Sequence, residues 1–212
     1  KKIFLNLLLF MFIWTLCLIL QILFQKTNVD PLIFEMFASF GAQPLPFMFL
    51  LLALCFSKTK IEANYKYLFL LIIPIISTIM IFTNNYHHLF YEVYSISLNE
   101  TVTGPYAIVH ILYTYLIFAI ALGILLKYSV KNAGFFSKQS LLIVFGALIP
   151  IVVNILGTFN IIPMTVYVTP ICFAFTMFFF ALAIFKFNFL SITPIAMQRI
   201  VDSMSDGFLV IN

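Results

Sequence analysis

Stretch after stretch of this chain runs for about twenty residues almost without charge, and that pattern leaves very few folds open. A helix crossing the hydrocarbon core of a bilayer needs about 20 mostly apolar residues. Six segments meet that need: Ile3–Phe24, Pro31–Phe56, Tyr67–Phe82, Pro105–Leu126, Ser140–Phe159 and Thr165–Phe185. They are rich in leucine, isoleucine and phenylalanine all round, without the period-two alternation of a membrane barrel strand. Charged residues make up only 8% of the chain and hydrophobic ones 64%, whereas soluble domains carry about 25% charge. Such a chain cannot cover a water-facing surface. A soluble enzyme, a nucleic-acid-binding domain and a disordered tail are excluded together. The expected fold class is all-α, a polytopic bundle of membrane helices.

The first segment begins Lys1-Lys2 and then turns apolar, as a secretory signal does. Its apolar run is too long for one, and no small-residue cleavage site follows. With no initiator Met, Lys1 reads as the cut edge of a longer protein. Orientation follows from the lysines and arginine rather than from the net charge of +4. If the helices alternate, Lys1, Lys2, Lys58, Lys60, Lys66, Lys127, Lys131, Lys138, Lys186 and Arg199 share one side. Lys26 alone falls on the other, with Asp30, Glu92 and Glu100. The positive-inside rule therefore places both ends of the fragment in the cytoplasm.

Chemistry inside a bilayer rests on the few polar residues there, because ionisable groups at that depth are costly and functional by default. His110 is the one histidine within a segment, and Tyr106, Tyr113 and Thr114 lie a turn away on its helix face. Asn154 follows Pro150 by one turn, while Glu35 and Gln43 lie in the second segment. One reading is a ligand pocket lined by His110, Tyr106, Tyr113, Asn154, Glu35 and Gln43. The other is interhelical hydrogen bonding that only holds the bundle together. Gly41, Pro44, Pro46, Pro74, Pro150 and Pro170 predict kinked helices whose freed carbonyls need partners from neighbours. The stretch Thr83–Gly104 is too short for a separate sensor domain but long enough to lid the bundle.

Several chemistries drop out. Cys17, Cys55 and Cys172 are widely spaced and lie within apolar runs, so neither a disulfide framework nor a cysteine metal site is expected. His87 and His88 are adjacent and point about 100° apart on a helix, which does not make a metal site. No mid-segment lysine could carry a retinal Schiff base. There is no nucleophile triad, phosphate loop or carboxylate pair, so catalytic, metal and cofactor residues are all expected to be absent from this fragment.

Beyond Phe185 the chain changes character. Residues 191–205 alternate polar and apolar positions, as an emerging amphipathic helix does. Asp206-Gly207 is a turn signal, and the apolar, partly β-branched run from Phe208 to Ile211 reads as a first strand. The expected organisation is a membrane bundle over 1–190, a cytoplasmic linker helix over 191–205 and the start of a new domain over 206–212.

Four stretches together resemble a known family, the amino-terminal seven-helix sensor region of bacterial histidine kinases. Asn84-Asn85-Tyr86-His87-His88-Leu89-Phe90 is similar to the segment after one of its helices. Gly104-Pro105-Tyr106 with Val109-His110, Tyr113 and Tyr115 is similar to its G-P-W…V-H-x-x-Y-x-Y helix, with tyrosine in place of the tryptophan. Gly146 through Pro150 to Asn154 is similar to its G-x-x-x-P-x-x-x-N helix. Ile192-Thr193-Pro194 through Met204, Asp206 and Gly207 is similar to its junction with a PAS domain. Trp14 resembles the tryptophan of the family's second helix, which implies seven spans in the parent and six here.

The resemblance implies a sensor in the bacterial cytoplasmic membrane, crossing it several times, with a cytoplasmic C-terminus. It would detect a small or membrane-partitioning ligand and relay the signal through Pro150, Pro194, Met204, Asp206 and Gly207. Implied partners are the lipid bilayer, a second copy in a homodimer, and a response regulator reached through the kinase core. No nucleic acid is expected, and ATP and magnesium would belong only to the kinase domain. Two alternatives stay open: the same sensor driving a diguanylate cyclase, or a small-molecule transporter. Against the transporter stand the lack of a visible internal repeat and of a mid-membrane carboxylate for ion coupling.

Overall fold

A computed structural model describes residues 2–57, 65–131 and 135–185. Helix α1 (Lys2–Phe24) is followed by α2 (Pro31–Ala42) and α3 (Leu45–Phe56). A 3₁₀ turn (Tyr65–Leu71) leads into α4 (Ile72–Phe82), then come α5 (Asn84–His87), β1 (Tyr91–Val93) and β2 (Val102–Thr103). Three long helices complete the order: α6 (Pro105–Lys131), α7 (Phe135–Thr158) and α8 (Val168–Phe185). The helical class is as expected, with the addition of one antiparallel strand pair.

Among the described residues, four helical segments are long and apolar enough to cross a membrane: Lys2–Phe24, Pro31–Phe56, Pro105–Lys131 and Ser140–Thr158. The other two expected spans, Tyr67–Phe82 and Thr165–Phe185, correspond to shorter apolar helices, Tyr67–Phe82 and Val168–Ala183. The first of these opens in 3₁₀ geometry; the second lies at the limit of the described residues. The linker over 191–205 and the strand over 206–212, with Pro194, Met204, Asp206 and Gly207, lie outside the described residues.

Helix α1 packs against α2, α3 and α8; α8 packs on α7, α7 on α6, and α6 on α3 and α4. The ring of α1, α3, α6, α7 and α8 therefore closes on itself. Its apolar core is formed by Phe4, Leu7, Phe49, Leu125, Val144 and Phe180 among others. Large apolar side chains such as Phe12, Leu23, Leu112 and Phe175 point outward, as an element immersed in lipid requires.

Hydrophobic burial does little to join helices in lipid, so close packing and hydrogen bonds carry the association. Gly41 lets α2 pack closely on α1. A Cβ there would stand 2.5 Å from the Phe10 carbonyl oxygen and the Trp14 amide nitrogen of α1. The prolines provide the hydrogen bonds. Pro74 has no N–H for the carbonyl four residues earlier, and that carbonyl, Leu70, accepts from the Tyr113 hydroxyl of α6 at 2.6 Å. Pro150 interrupts α7 in the same way, and the Gly146 carbonyl accepts from Thr176 Oγ1 of α8 at 2.7 Å. A third link joins α7 to α6, where Ser140 Oγ donates to the Leu125 carbonyl at 2.9 Å. Each kink is thus also a cross-link to the next helix. Pro44 and Pro46 divide the second segment, with α2 ending at Ala42 and α3 starting at Leu45.

Replacing Tyr113 by Phe should cost about 1 kcal/mol of bundle stability, the usual worth of one interhelical hydrogen bond in a membrane. The cost should shrink in a Pro74→Ala background, where the restored amide can serve Leu70. Unfolding in mixed micelles, run as a double-mutant cycle, measures both; equal costs in the two backgrounds would disprove the link.

Candidate functional site

The hairpin end of the bundle is organised by one buried amide. Asn84 is 3% exposed; its Oδ1 accepts from the amides of Phe90 (3.1 Å) and Tyr91 (2.9 Å). Its Nδ2 donates to the Tyr91 carbonyl at 2.9 Å. His87 acts nearby: Nδ1 accepts from the Leu89 amide at 2.9 Å, and Nε2 lies 2.9 Å from Thr83 Oγ1. His88 takes the left-handed conformation that closes α5, with φ 52°. The Asn84–Phe90 motif therefore folds a turn. It carries Phe90 inward, against the rings of Tyr106 and His110 with centroids 6.1 and 5.6 Å away. From there β1 pairs with β2, and Leu98 and Val166 tie the loop to the segment before α8 through backbone hydrogen bonds.

Beneath this cap lies a cavity of about 330 Å³, within the range of small-molecule sites. Tyr91, Leu98, Thr101 and Thr103 border it from the cap, and Leu7, Met11, Trp14, Phe49, Phe118 and Phe180 from the helices. Polar groups gather in three places. Glu35 is partly exposed and accepts from two phenols, Tyr91 to Oε1 at 3.0 Å and Tyr94 to Oε2 at 3.3 Å. Gln21 Nε2 supports Tyr94 at 3.2 Å and also donates to the Pro31 carbonyl at 2.9 Å. Burial, and after it the Glu35 charge, push both tyrosines of the loop well above the ordinary phenol value. They remain hydrogen-bond donors at neutral pH, and the stability this gives is lost only as pH rises past about 10.

The second cluster surrounds His110, whose Nδ1 lies 3.1 Å from Ser77 Oγ and whose Nε2 lies 3.3 Å from Thr114 Oγ1. Ser77 is fully buried and also meets the Tyr106 hydroxyl at 3.3 Å. In the third, Tyr115 donates to Asn154 Oδ1 at 2.8 Å and lies 3.2 Å from Thr158 Oγ1, while Asn154 Nδ2 reaches Thr169 Oγ1 at 3.4 Å.

Of the residues singled out in sequence, Glu35, Gln43, His110, Asn154 and Pro150 border this one cavity. Tyr106 and Tyr113 are not among its bordering residues. The Tyr113 hydroxyl is engaged with Leu70, and that of Tyr106 with Ser77 and, at 3.5 Å, the Ile73 carbonyl. The face of α6 that meets the cavity carries Ala107, His110, Ile111, Thr114, Tyr115 and Phe118. It is turned by a fraction of a helical turn from the stripe of Tyr106, His110 and Tyr113. Ser77, Tyr91, Tyr94 and Gln21 are not among the residues singled out, and Tyr115 is named only as part of the family motif. Tyr115 and Ser77 carried a usable signal, each a polar group inside an apolar run, whereas the contacts of Tyr91 and Tyr94 depend on how the loop folds back. Among the described residues no group of three or more His, Cys, Asp or Glu could hold a metal ion. The three cysteines are free thiols.

Asn84→Ala should cost about 1–3 kcal/mol through the unpaired amides it leaves. Amide hydrogen exchange should accelerate at Phe90 and Tyr91 while the centres of α6 and α7 stay protected. Unchanged exchange at those two amides would show that Asn84 does not hold the cap.

Comparison with known proteins gives one family. The model described as the N-terminal 7TM region of histidine kinase matches residues 1–194. No curated protein and no solved structure matches the chain.

Proposed function

The chain belongs to the family of the N-terminal 7TM region of histidine kinases, and from that premise we propose that it is a receptor whose cavity binds a small or membrane-partitioning ligand. The family implies a transmembrane sensor region. The observation that carries the ligand reading is the cavity itself, roofed by the Thr83–Gly104 loop and bordered by His110, Glu35, Gln43 and Asn154.

All six apolar segments cross the membrane in this reading. The Tyr65–Leu71 turn has 7 residues and α4 has 11. At about 2.0 and 1.5 Å per residue they extend about 30 Å together, the thickness of the hydrocarbon core. The 18 residues of α8 reach about 27 Å. Lysines 2, 127, 131 and 138 then lie on the cytoplasmic side and the hairpin outside, in accord with the positive-inside rule.

Signalling requires two packings of the bundle that bind the ligand unequally. Moving the population from 1:99 to 99:1 takes about 5.5 kcal/mol of differential affinity. Pro150 supports such a switch, because it borders the cavity and its kink is bonded to α8 through Gly146 and Thr176. A ligand that shifts α7 would move α8, and α8 runs toward residues 191–205. From there we propose relay through Pro194, Met204, Asp206 and Gly207 to a cytoplasmic PAS domain and kinase core in a homodimer. ATP-dependent histidine phosphorylation and transfer to a response regulator would follow. A diguanylate cyclase in place of the kinase would use the same sensor and the same relay.

His110→Ala should abolish or strongly blunt the ligand-dependent output while leaving membrane insertion intact, since it removes the links to Ser77 and Thr114. A normal dose response would overturn the role of the cavity. Inserting one residue between Phe189 and Pro194 should uncouple output from ligand, because it rotates the following helix by about 100°. Output measured as autophosphorylation in vesicles checks both, and a wild-type response from the insertion would show a slack tether.

A further inference from the structure

The cavity's capacity for charge is one-sided. No lysine or arginine is among the described residues that border it. Its acid, Glu35, accepts one phenol at each oxygen. A carboxylate has about four lone-pair sites, so each oxygen can take a further donor. Gln43 also borders the cavity; it is 5% exposed, and its Oε1 is buried without a hydrogen-bond partner among the described residues. Of the other polar groups, Tyr115 donates to Asn154, and both nitrogens of His110 face hydroxyls. A carboxylate with open lone pairs and no lysine or arginine beside it favours a molecule that brings both donors and positive charge.

The acceptors are arranged along one axis. Gln43 follows Glu35 by eight residues, about 12 Å along the helix at 1.5 Å per residue. Glu35 lies at the hairpin end, beside Tyr91. Below Gln43 the border becomes apolar, formed by Phe49, Phe118 and Phe180.

Resting on the reading of this cavity as a ligand site, we propose that its ligand is an amphiphilic organic cation. A primary ammonium sits at Glu35, and an alkyl or aromatic body runs past Gln43 to the phenylalanine floor. An ammonium supplies three donors and no acceptor, matching a site that offers acceptors. An anionic amphiphile of the same size meets Glu35 with like charge. A neutral alcohol brings a single donor and no charge.

Trp14 is the chain's single tryptophan and borders the cavity, so its emission reports occupancy without a label. The full chain in nanodiscs of zwitterionic lipid is titrated with octylamine, 1-octanol and octanoate, which share a tail and differ in the head. Octylamine should change Trp14 emission saturably and bind about tenfold or more tighter than the other two, as a charge-assisted hydrogen bond warrants. Glu35→Gln should remove that preference while circular dichroism and unliganded emission stay as in the wild type. The ranking of the three heads is read on the wild-type chain, so it decides the matter even if the variant fails to insert. Saturable binding of all three with similar affinity keeps the cavity as a ligand site and overturns the cation preference. So does an undiminished preference in Glu35→Gln. If none of the three changes the emission saturably, the ligand-site reading falls as well.

Discussion

In hydrocarbon no water stands by to satisfy a peptide group that loses its partner, and this fold is arranged around that constraint. Pro74 and Pro150 each leave a carbonyl without its usual amide. The molecule serves both from outside the helix: Tyr113 for Leu70, and Thr176 for Gly146. Each hydroxyl comes from a neighbouring helix, so the defect in one element is repaired by the position of another. The kinks therefore set which helices are adjacent, α4 with α6 and α7 with α8. Pro150 also borders the cavity.

The same economy appears at the cap. A loop without regular structure over most of its length would carry many unpaired backbone groups into a half-buried position. Asn84 takes up two amides and one carbonyl at a single point, and His87 takes up a third amide. That turn brings Phe90 to His110 and the phenol of Tyr91 to Glu35. The partly buried acid and the loop over it are thus one unit. A change at either end, in the charge state of Glu35 or in the seating of the hairpin, reaches the other through two hydroxyls.

The polar residues fall into two kinds that the sequence does not label. His110 and Asn154 were read as one cavity or as interhelical glue, and the geometry makes them both at once: each borders the cavity and each bridges helices. Tyr113 belongs wholly to the frame, with its hydroxyl spent on a proline's carbonyl. Spacing along α6 put Tyr113 with His110 because residues three apart share a face. A cavity subtends only part of that face, and a rotation of a fraction of a turn keeps Thr114 and exchanges Tyr113 for Tyr115.

What the sequence by itself determined follows from composition and period. The lack of charge forces the chain into a bilayer, the unbroken apolar runs make it helical there, and the prolines mark the bends. Those properties are local, since each depends on a residue and its near neighbours in the chain. Tertiary structure alone decided which hydroxyl meets which orphan carbonyl, and which face of α6 turns inward. It also decided that Glu35, far from the hairpin in sequence, would be held by Tyr91 and Tyr94. These pairings join residues far apart in the chain, and only the packing of whole helices brings them within hydrogen-bond reach.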